Sequence, residues 1–293
     1  MSTTTVSGSA LGVLARQEIR NYLNAKLFWF GAALTLVADV VMVLDLQSDP
    51  ASSAFYMIAP AALLGVLGLV VMVGLTRRSD RAAEAAGAVA VPERTRTLAL
   101  ACATVVPFAV ALLSFVAAVV AWNLYPPAGY VVPPGVSDAF VYAQMFGDGV
   151  LCAVGGPLLG LLLARYLPRR GVAAVASVLL VIVTILLQGG LFGGQPYRVF
   201  WVWTYFLTQG SAGAPDRRHF ATVPGNPYLW VLYLMALCVL GVVVAVLHDP
   251  ESERGRLRNV AAGLVVVAVL LGALTMTVGF TDSIVHPAVC PTC

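Results

Sequence analysis

Long apolar runs separated by short polar segments dominate this chain. Seven of these runs each come near the ~20 residues that a membrane-spanning helix needs. They cover residues 27–46, 55–76, 97–122, 139–165, 171–190, 228–247 and 259–281. The pattern predicts an all-α integral membrane protein with about seven transmembrane helices, so the lipid membrane is its first expected partner.

The segment before the first run has a different periodicity. Apolar side chains recur there at intervals of three and four, at Leu11, Leu14, Ala15, Ile19, Tyr22 and Leu23. Arg16 and Arg20 lie between them. This spacing predicts an amphipathic helix over residues 10–24 that lies on the membrane surface with its arginines toward anionic headgroups. An ordinary basic flank of the first transmembrane helix is the alternative explanation.

The composition agrees with the prediction of a membrane protein. Hydrophobic residues make up 60% of the chain and charged residues 11%, against roughly 25% charged in an average soluble domain. The net charge is +3, and the arginines fall in separate short clusters. Binding to nucleic acid is not indicated, because it would need one continuous basic surface.

The distribution of basic residues predicts the orientation. With a cytoplasmic N-terminus, all of the 17 basic residues except Arg198, Arg217 and Arg218 fall in inner segments. Cytoplasmic segments of membrane proteins carry such an excess of Lys and Arg. We therefore expect a multi-pass protein of the plasma membrane with a cytoplasmic N-terminus and an extracytoplasmic C-terminus.

The longest expected inner loop, residues 77–96, reads RRSDRAAEAAGAVAVPERTR. Its first half is rich in alanine and carries Arg81 and Glu84 three residues apart, on one face of a helix. Gly87 weakens the helical run, and Pro92 favours a boundary just before it. The loop predicts a short helix across the inner mouth of two transmembrane helices. The alternative is a solvated loop with ordinary topogenic arginines.

Two outer segments differ from each other. Residues 123–138 are rich in Pro and Gly and are expected to be extended or turning. Residues 191–227 begin with an aromatic stretch from Tyr197 to Leu207, which is too short to span and predicts a re-entrant or interfacial helix. Residues 208–227 have the composition of a solvated loop.

Two acids fall inside predicted transmembrane helices, Asp39 in the first and Asp148 in the fourth. A carboxylate at the bilayer centre costs roughly 2.5–3.5 kcal/mol on insertion scales, so it usually faces a partner or water. One hypothesis gives these acids a role in a transport or proton pathway. The other gives them a structural hydrogen bond to a neighbouring helix.

Prolines and glycines mark special positions in the predicted helices. Pro60, Pro107 and Pro157 are expected to interrupt the helical bonding locally. Gly156 and Gly160 have the small-xxx-small spacing that lets two helices approach closely. This spacing is common in membrane helices, so it does not by itself identify an interface.

The cysteines and the known catalytic motifs give no sign of a metal or catalytic site. Cys290 and Cys293 form a CxxC pair in the outer tail, where a disulfide is the default and a metal would need a fourth ligand. No HExxH or GxSxG motif occurs, and the one lysine, Lys26, follows no glycine loop. A P-loop needs such a lysine. The chain is therefore not expected to be an enzyme, to hydrolyse ATP or to bind a cofactor or metal directly.

The order of these elements resembles the ABC-2-type permease family in its actinobacterial form. The resemblance rests on LARQEIRNYLNAKLFWFGAAL at the entry to the first helix, on the arginine-rich loop 77–96, and on an aromatic outer segment before the sixth helix. It covers about residues 10–247. It implies the membrane subunit of an ABC transporter, usually an exporter, that pairs with a second permease and docks a separate ATPase, which binds ATP and Mg²⁺.

The resemblance also implies a division of the chain and a docking surface. Residues 1–26 would be the connecting segment, 27–247 the six-helix permease domain, and 248–293 an additional helix with an outer tail. The family's coupling element would cover residues 78–91. The implied ATPase-coupling residues are Arg78, Asp80, Arg81, Glu84, Arg16, Glu18 and Arg20.

Two other functions remain open from the sequence. A membrane-embedded enzyme of lipid or envelope metabolism would use Asp39, Asp148 or His219 as acid or base, and it needs polar groups that converge in one pocket. A membrane sensor or scaffold would use the CxxC tail for redox sensing. Neither the transported substance nor the identity of the second permease follows from the sequence.

Overall fold

The computed structural model describes residues 4–45, 57–87, 91–125, 137–188, 200, 207–209, 220–222 and 225–278. Helices account for most of these ranges. They are α1 Thr4–Leu23, α2 Lys26–Asp45, α3 Pro60–Ala86, α4 Glu93–Cys102, α5 Val105–Leu124, α6 Asp138–Tyr166, α7 Val172–Gln188, α8 Pro227–Leu247 and α9 Arg254–Thr277. Two three-residue strands, β1 Leu207–Gln209 and β2 Phe220–Thr222, pair antiparallel.

The protein is an all-α membrane protein, as the apolar runs predict. In the described ranges, six helical stretches are long and apolar enough to cross a membrane: α2, α3, α4 with α5, α6, α8 and α9. The fifth predicted run, 171–190, forms α7, whose apolar part, Val172–Leu187, is shorter than the others. The large apolar side chains that cover the outer faces of these helices have lipid as their solvent.

The helices α3 and α6 form the centre of the bundle. About two thirds of the most apolar stretch of each is buried, 61% and 67%, against 17% for α9. Gly156 lies directly against the backbone oxygen of Gly65, and Gly160 against that of Leu69. A side chain at either glycine would collide with the opposing backbone. The close approach predicted from the small-xxx-small spacing is therefore confirmed.

The helices are irregular near Pro60 and Pro107, as predicted, whereas Pro157 lies inside the continuous α-helical stretch Cys152–Tyr166. α3 begins with a π-helical stretch, Pro60–Val66, and α6 contains another, Phe146–Leu151. Between α4 and α5 the chain turns at Ala103 and Thr104. Pro107 accounts for this turn, because its ring has no N–H to donate and excludes the carbonyl four residues earlier.

Several predictions are refined by the structure. The alanine-rich half of loop 77–96 is the last part of α3 and not a separate helix, because good helix formers continue the run until Gly87, which has a positive φ of 58°. The expected loop 208–227 contains part of the β1–β2 pair. Residues 126–136, most of the aromatic outer stretch, and Cys290 and Cys293 lie outside the described residues.

Candidate functional site: the basic end of the bundle

Several helix ends meet at one end of the bundle, which we call the basic end. α3 and α6 finish there, α4 begins there, and α8 ends there at Leu247, followed by His248. Arg77 donates to the backbone oxygen of Arg169, and Tyr166 donates to that of Val244 at 2.8 Å. The structure therefore brings basic clusters from separate loops together at the same end.

Asp80 is the centre of an ion-pair cluster at this end. Its Oδ1 accepts from Nη1 of Arg165 at 2.6 Å and from Nη1 of Arg96 at 2.9 Å. The Arg165 side chain is only 3% exposed, whereas Asp80 is 35% exposed. A buried guanidinium needs a paired carboxylate, because an unpaired buried charge is strongly unfavourable. Asp80 therefore fixes the end of α3 to the ends of α6 and α4.

A second carboxylate joins α4 to α8. Oε1 of Glu93 lies 2.6 Å from Nδ1 of His248 and 3.7 Å from Nη1 of Arg165. Beside it, the backbone N–H of Arg94 donates to Asp249 at 2.8 Å. Asp249 is buried and also accepts from its own loop, so it holds the turn after α8 against the first turn of α4.

A groove lies beside this cluster, between α1 and the ends of α3 and α4. Its volume is about 320 Å³. The lining combines polar and small apolar side chains: Leu14, Gln17, Glu18, Asn21, Arg78, Ser79, Ala82, Ala83, Ala86, Val91 and Arg96. Glu18 accepts from the amide of Asn21 at 3.0 Å, which orients its carboxylate. We call this the α1–α3 groove.

Tyr22 anchors the end of the amphipathic helix α1 to the bundle, and this contact places α1 beside the groove. The Tyr22 ring is fully buried and meets Phe28 edge-on at 5.5 Å between centroids. Its hydroxyl lies over Gly68 of α3 and finds no hydrogen-bond partner among the described residues. Burial raises the pKa of this phenol well above its ordinary value of 10.0. Arg16 and Arg20 lie on the exposed side of α1, as its periodicity predicts.

The expected coupling residues lie in three different surroundings. Glu18 and Arg78 line the α1–α3 groove, and Asp80 belongs to the ion-pair cluster. Arg81 and Glu84 are exposed, and Nε of Arg81 donates to the backbone oxygen of Arg77.

Sequence reasoning missed the most buried charge of the site and its neighbours. The sequence pattern shows Arg165 only as one of several basic residues of an inner segment, and it indicates no role for His248, Glu93 or Asp249. Arg165 and Asp80 are 85 positions apart, and His248 and Glu93 are 155 apart. A single sequence carries no signal that pairs such distant residues.

The intramembrane acids lie in different surroundings. Oδ2 of Asp39 accepts from the Ser114 hydroxyl of α5 at 2.7 Å. This pair lines an open, mostly apolar groove of about 510 Å³ between α2 and α5. Asp148 is buried in the π-helical part of α6 and is not part of that groove's lining. The hydrogen bond to a neighbouring helix agrees with the structural interpretation of Asp39.

Comparison with known proteins finds no relative of this chain. The chain matches no family model, no curated protein and no solved structure. Within the described ranges, no group of three or more His, Cys, Asp or Glu side chains is placed to hold a metal ion. The geometry of the basic end is therefore the main basis for a functional argument.

Proposed function

We propose that this chain is the membrane-spanning permease subunit of an ABC transporter, most simply an exporter, driven by ATP hydrolysis on a separate ATPase. The observation that carries the proposal is the α1–α3 groove, where Glu18 of the N-terminal helix and Arg78 of the last turns of α3 line one surface. These are the two segments that the family resemblance assigns to ATPase docking.

The groove is connected through α3 to the buried part of the bundle, and this connection supports the proposed role. α3 is α-helical without interruption from Leu67 to Ala86, a length of about 30 Å at 1.5 Å per residue. A partner that moves Arg78 or Ala82 therefore moves the buried part of the same helix. The Asp80–Arg165 ion pair extends the connection to α6.

The remaining parts of the proposal follow from this arrangement. The basic end would face the cytoplasm of a plasma-membrane protein. A soluble ATPase subunit with ATP and Mg²⁺ would sit over the α1–α3 groove, and a second permease copy or homologue would complete the assembly. ATP binding needs only to favour one conformation of this assembly in order to drive a change in the bundle.

The first test is purification of the tagged full chain from its native host in mild detergent, with mass spectrometry of what stays bound. A stoichiometric soluble protein with a Walker A motif is expected. Recovery of the chain by itself, or only with enzymes of lipid or envelope metabolism, would contradict the proposal.

A matched pair of double variants then tests the groove. Glu18→Ala with Arg78→Ala removes one acid and one base from the groove lining. Glu253→Ala with Arg256→Ala removes the same charges from an exposed pair at the start of α9, outside the expected coupling residues. The groove variant is expected to weaken ATPase binding about tenfold or more, which corresponds to ~1.4 kcal/mol, while the control variant binds normally. Equal binding by both variants would refute the docking role of the groove.

A further inference from the structure

The groove between α2 and α5, which we call the Asp39 groove, combines an apolar lining with one carboxylate. Its volume is about 510 Å³, within the range of roughly 300–1,000 Å³ that is typical of ligand pockets. Trp29, Leu36 and Leu113 are the largest side chains of its lining. A mostly apolar concave surface with a few polar groups at fixed positions is the usual form of a small-molecule site.

The polar chemistry of the groove is concentrated at Asp39. Its Oδ2 accepts from the hydroxyl of Ser114 at 2.7 Å, which orients the carboxylate. The third polar residue of the lining, Thr35, is buried and donates its hydroxyl to the backbone oxygen of Gly31 at 2.9 Å. A ligand in the groove would therefore find its strongest polar contact at the Asp39 carboxylate.

Asp39 has no positively charged neighbour in the part of the chain that the structure describes. It is half-buried, and it lies about 20 Å along α2 from Lys26, where the first span begins. A carboxylate inside the apolar part of a membrane usually faces a partner or water. The Ser114 hydroxyl is neutral, so its hydrogen bond leaves the negative charge of an ionised Asp39 uncompensated. A positively charged ligand in the groove would compensate it.

The two ends of the groove have different chemistry. Asp39 and Trp29 are about 15 Å apart along α2, at 1.5 Å per residue. The indole N–H of Trp29 donates to the backbone oxygen of Leu23 at 2.6 Å, so the ring contributes apolar surface to the groove. The groove therefore fits a molecule with a positive charge at one end and an apolar body of about this length.

We propose that the Asp39 groove binds a hydrophobic organic cation, with a primary ammonium group on the Asp39 carboxylate and the apolar body toward Trp29. An ammonium group supplies the positive charge that Asp39 lacks, and its N–H groups form charge-assisted hydrogen bonds, which are stronger than neutral ones. The site requires neither ATP nor a partner chain, so the inference does not depend on the proposed transport.

Quenching of Trp29 fluorescence in the detergent-solubilised full chain tests this site. The probe is ω-bromoundecylammonium, whose terminal bromine quenches a nearby tryptophan, and ω-bromoundecanol is its neutral counterpart. We expect quenching by the ammonium probe to saturate, to be reversed by undecylammonium without bromine, and to be lost in Trp29→Phe. Quenching that rises linearly with probe concentration, or that persists in Trp29→Phe, would show partition into detergent and would overturn the proposal.

Asp39→Asn tests the charge, because it keeps the size of the side chain and an oxygen that can accept from Ser114. The variant is expected to bind the ammonium probe about tenfold more weakly or worse, since a hydrogen bond to a charged group is lost. Binding of the alcohol is expected to stay unchanged and weaker than that of the ammonium. Equal binding of the ammonium by both proteins would mean that Asp39 serves only the hydrogen bond to Ser114, and it would overturn the proposal.

A second pair of variants tests the groove without altering Asp39, in case Asp39→Asn does not fold. Ala117→Phe places an aromatic ring in the lining. Val116→Phe places the same ring at a neighbouring exposed position outside the lining, and it is the matched control. Only the groove variant is expected to weaken binding of the ammonium probe. Equal binding by the two variants would overturn the assignment of the ligand to this groove.

Discussion

Replacing Asp80 by alanine is the most informative single perturbation of the basic end. The change removes the carboxylate that lies 2.6 Å from Arg165. Among the described residues, it leaves this 3% exposed guanidinium with Glu93 at 3.7 Å as its remaining acidic neighbour. Breaking a buried ion pair by removing one partner typically costs 3–5 kcal/mol. Because Asp80 itself is 35% exposed and partly screened by water, the lower end of that range, about 3 kcal/mol, is the expected loss.

The assay is thermal unfolding of the detergent-solubilised chain, followed by the fluorescence of its 5 tryptophans. At about 2–4 °C per kcal/mol, the expected decrease in the midpoint is ~6–12 °C. Glu84→Ala is the control, since it removes a carboxylate from an exposed position of the same helix, where substitutions usually change stability by less than ~0.5 kcal/mol.

A second substitution identifies the cause of the loss. If the unpaired charge is responsible, Arg165→Met in the Asp80→Ala background should restore most of the midpoint, because an apolar side chain of similar volume carries no desolvation cost. If Asp80→Ala shifts the midpoint no more than Glu84→Ala does, the buried charge of Arg165 is not stabilised by Asp80. The conclusion that Asp80 fixes the end of α3 to the ends of α6 and α4 is then wrong.

Three further predictions concern contacts inside the bundle. Gly156→Ala should lower the melting midpoint strongly, because its Cβ would meet an opposing backbone oxygen, whereas Gly74→Ala, with open space around it, should not; equal effects would contradict the close packing. Tyr22→Phe should be neutral or stabilising near pH 7, since the hydroxyl has no partner among the described residues. Because the pKa of this phenol is raised by burial, the neutral form is favoured on folding, and wild-type stability should fall more steeply above pH 10.0 than that of Tyr22→Phe; parallel pH profiles would contradict this. Ser114→Ala should lower the midpoint by the equivalent of ~1–2 kcal/mol in the wild type and by less in an Asp39→Leu background, as a double-mutant cycle would measure; an equal decrease in both would show that the 2.7 Å hydrogen bond contributes nothing.

The helices were predictable because the membrane interior limits the secondary structures that a chain can adopt. A backbone inside the membrane must satisfy its own hydrogen bonds, so a run such as 228–247 has little alternative to a helix, and it forms Pro227–Leu247. The buried side of α1 was also visible in the spacing of Ile19 and Tyr22. In both cases the signal is local and repeats with the period of the helix.

The functional site was predictable only in part, because its contacts are not local. The sequence indicated the loop that contains Arg78 and Asp80, but it did not show which of its charges face the groove. The continuation of α3 to Ala86 decides that, and the boundary at Gly87 was visible only as a weakening of the run. The pairing of Arg165 with Asp80 depends on how α3 and α6 pack, which a single sequence does not specify.

The glycine contacts between α3 and α6 determine which parts of the bundle can move separately. Backbones in direct contact at Gly156 and Gly160 cannot slide or part without opening a void, so the two helices behave as one rigid rod. Asp80 and Arg165 are both carried on that rod, so a displacement of α3 at the basic end is expected to move α6 with it. The π-helical stretch Pro60–Val66 belongs to this rod, because Gly65 within it is the residue against which Gly156 packs.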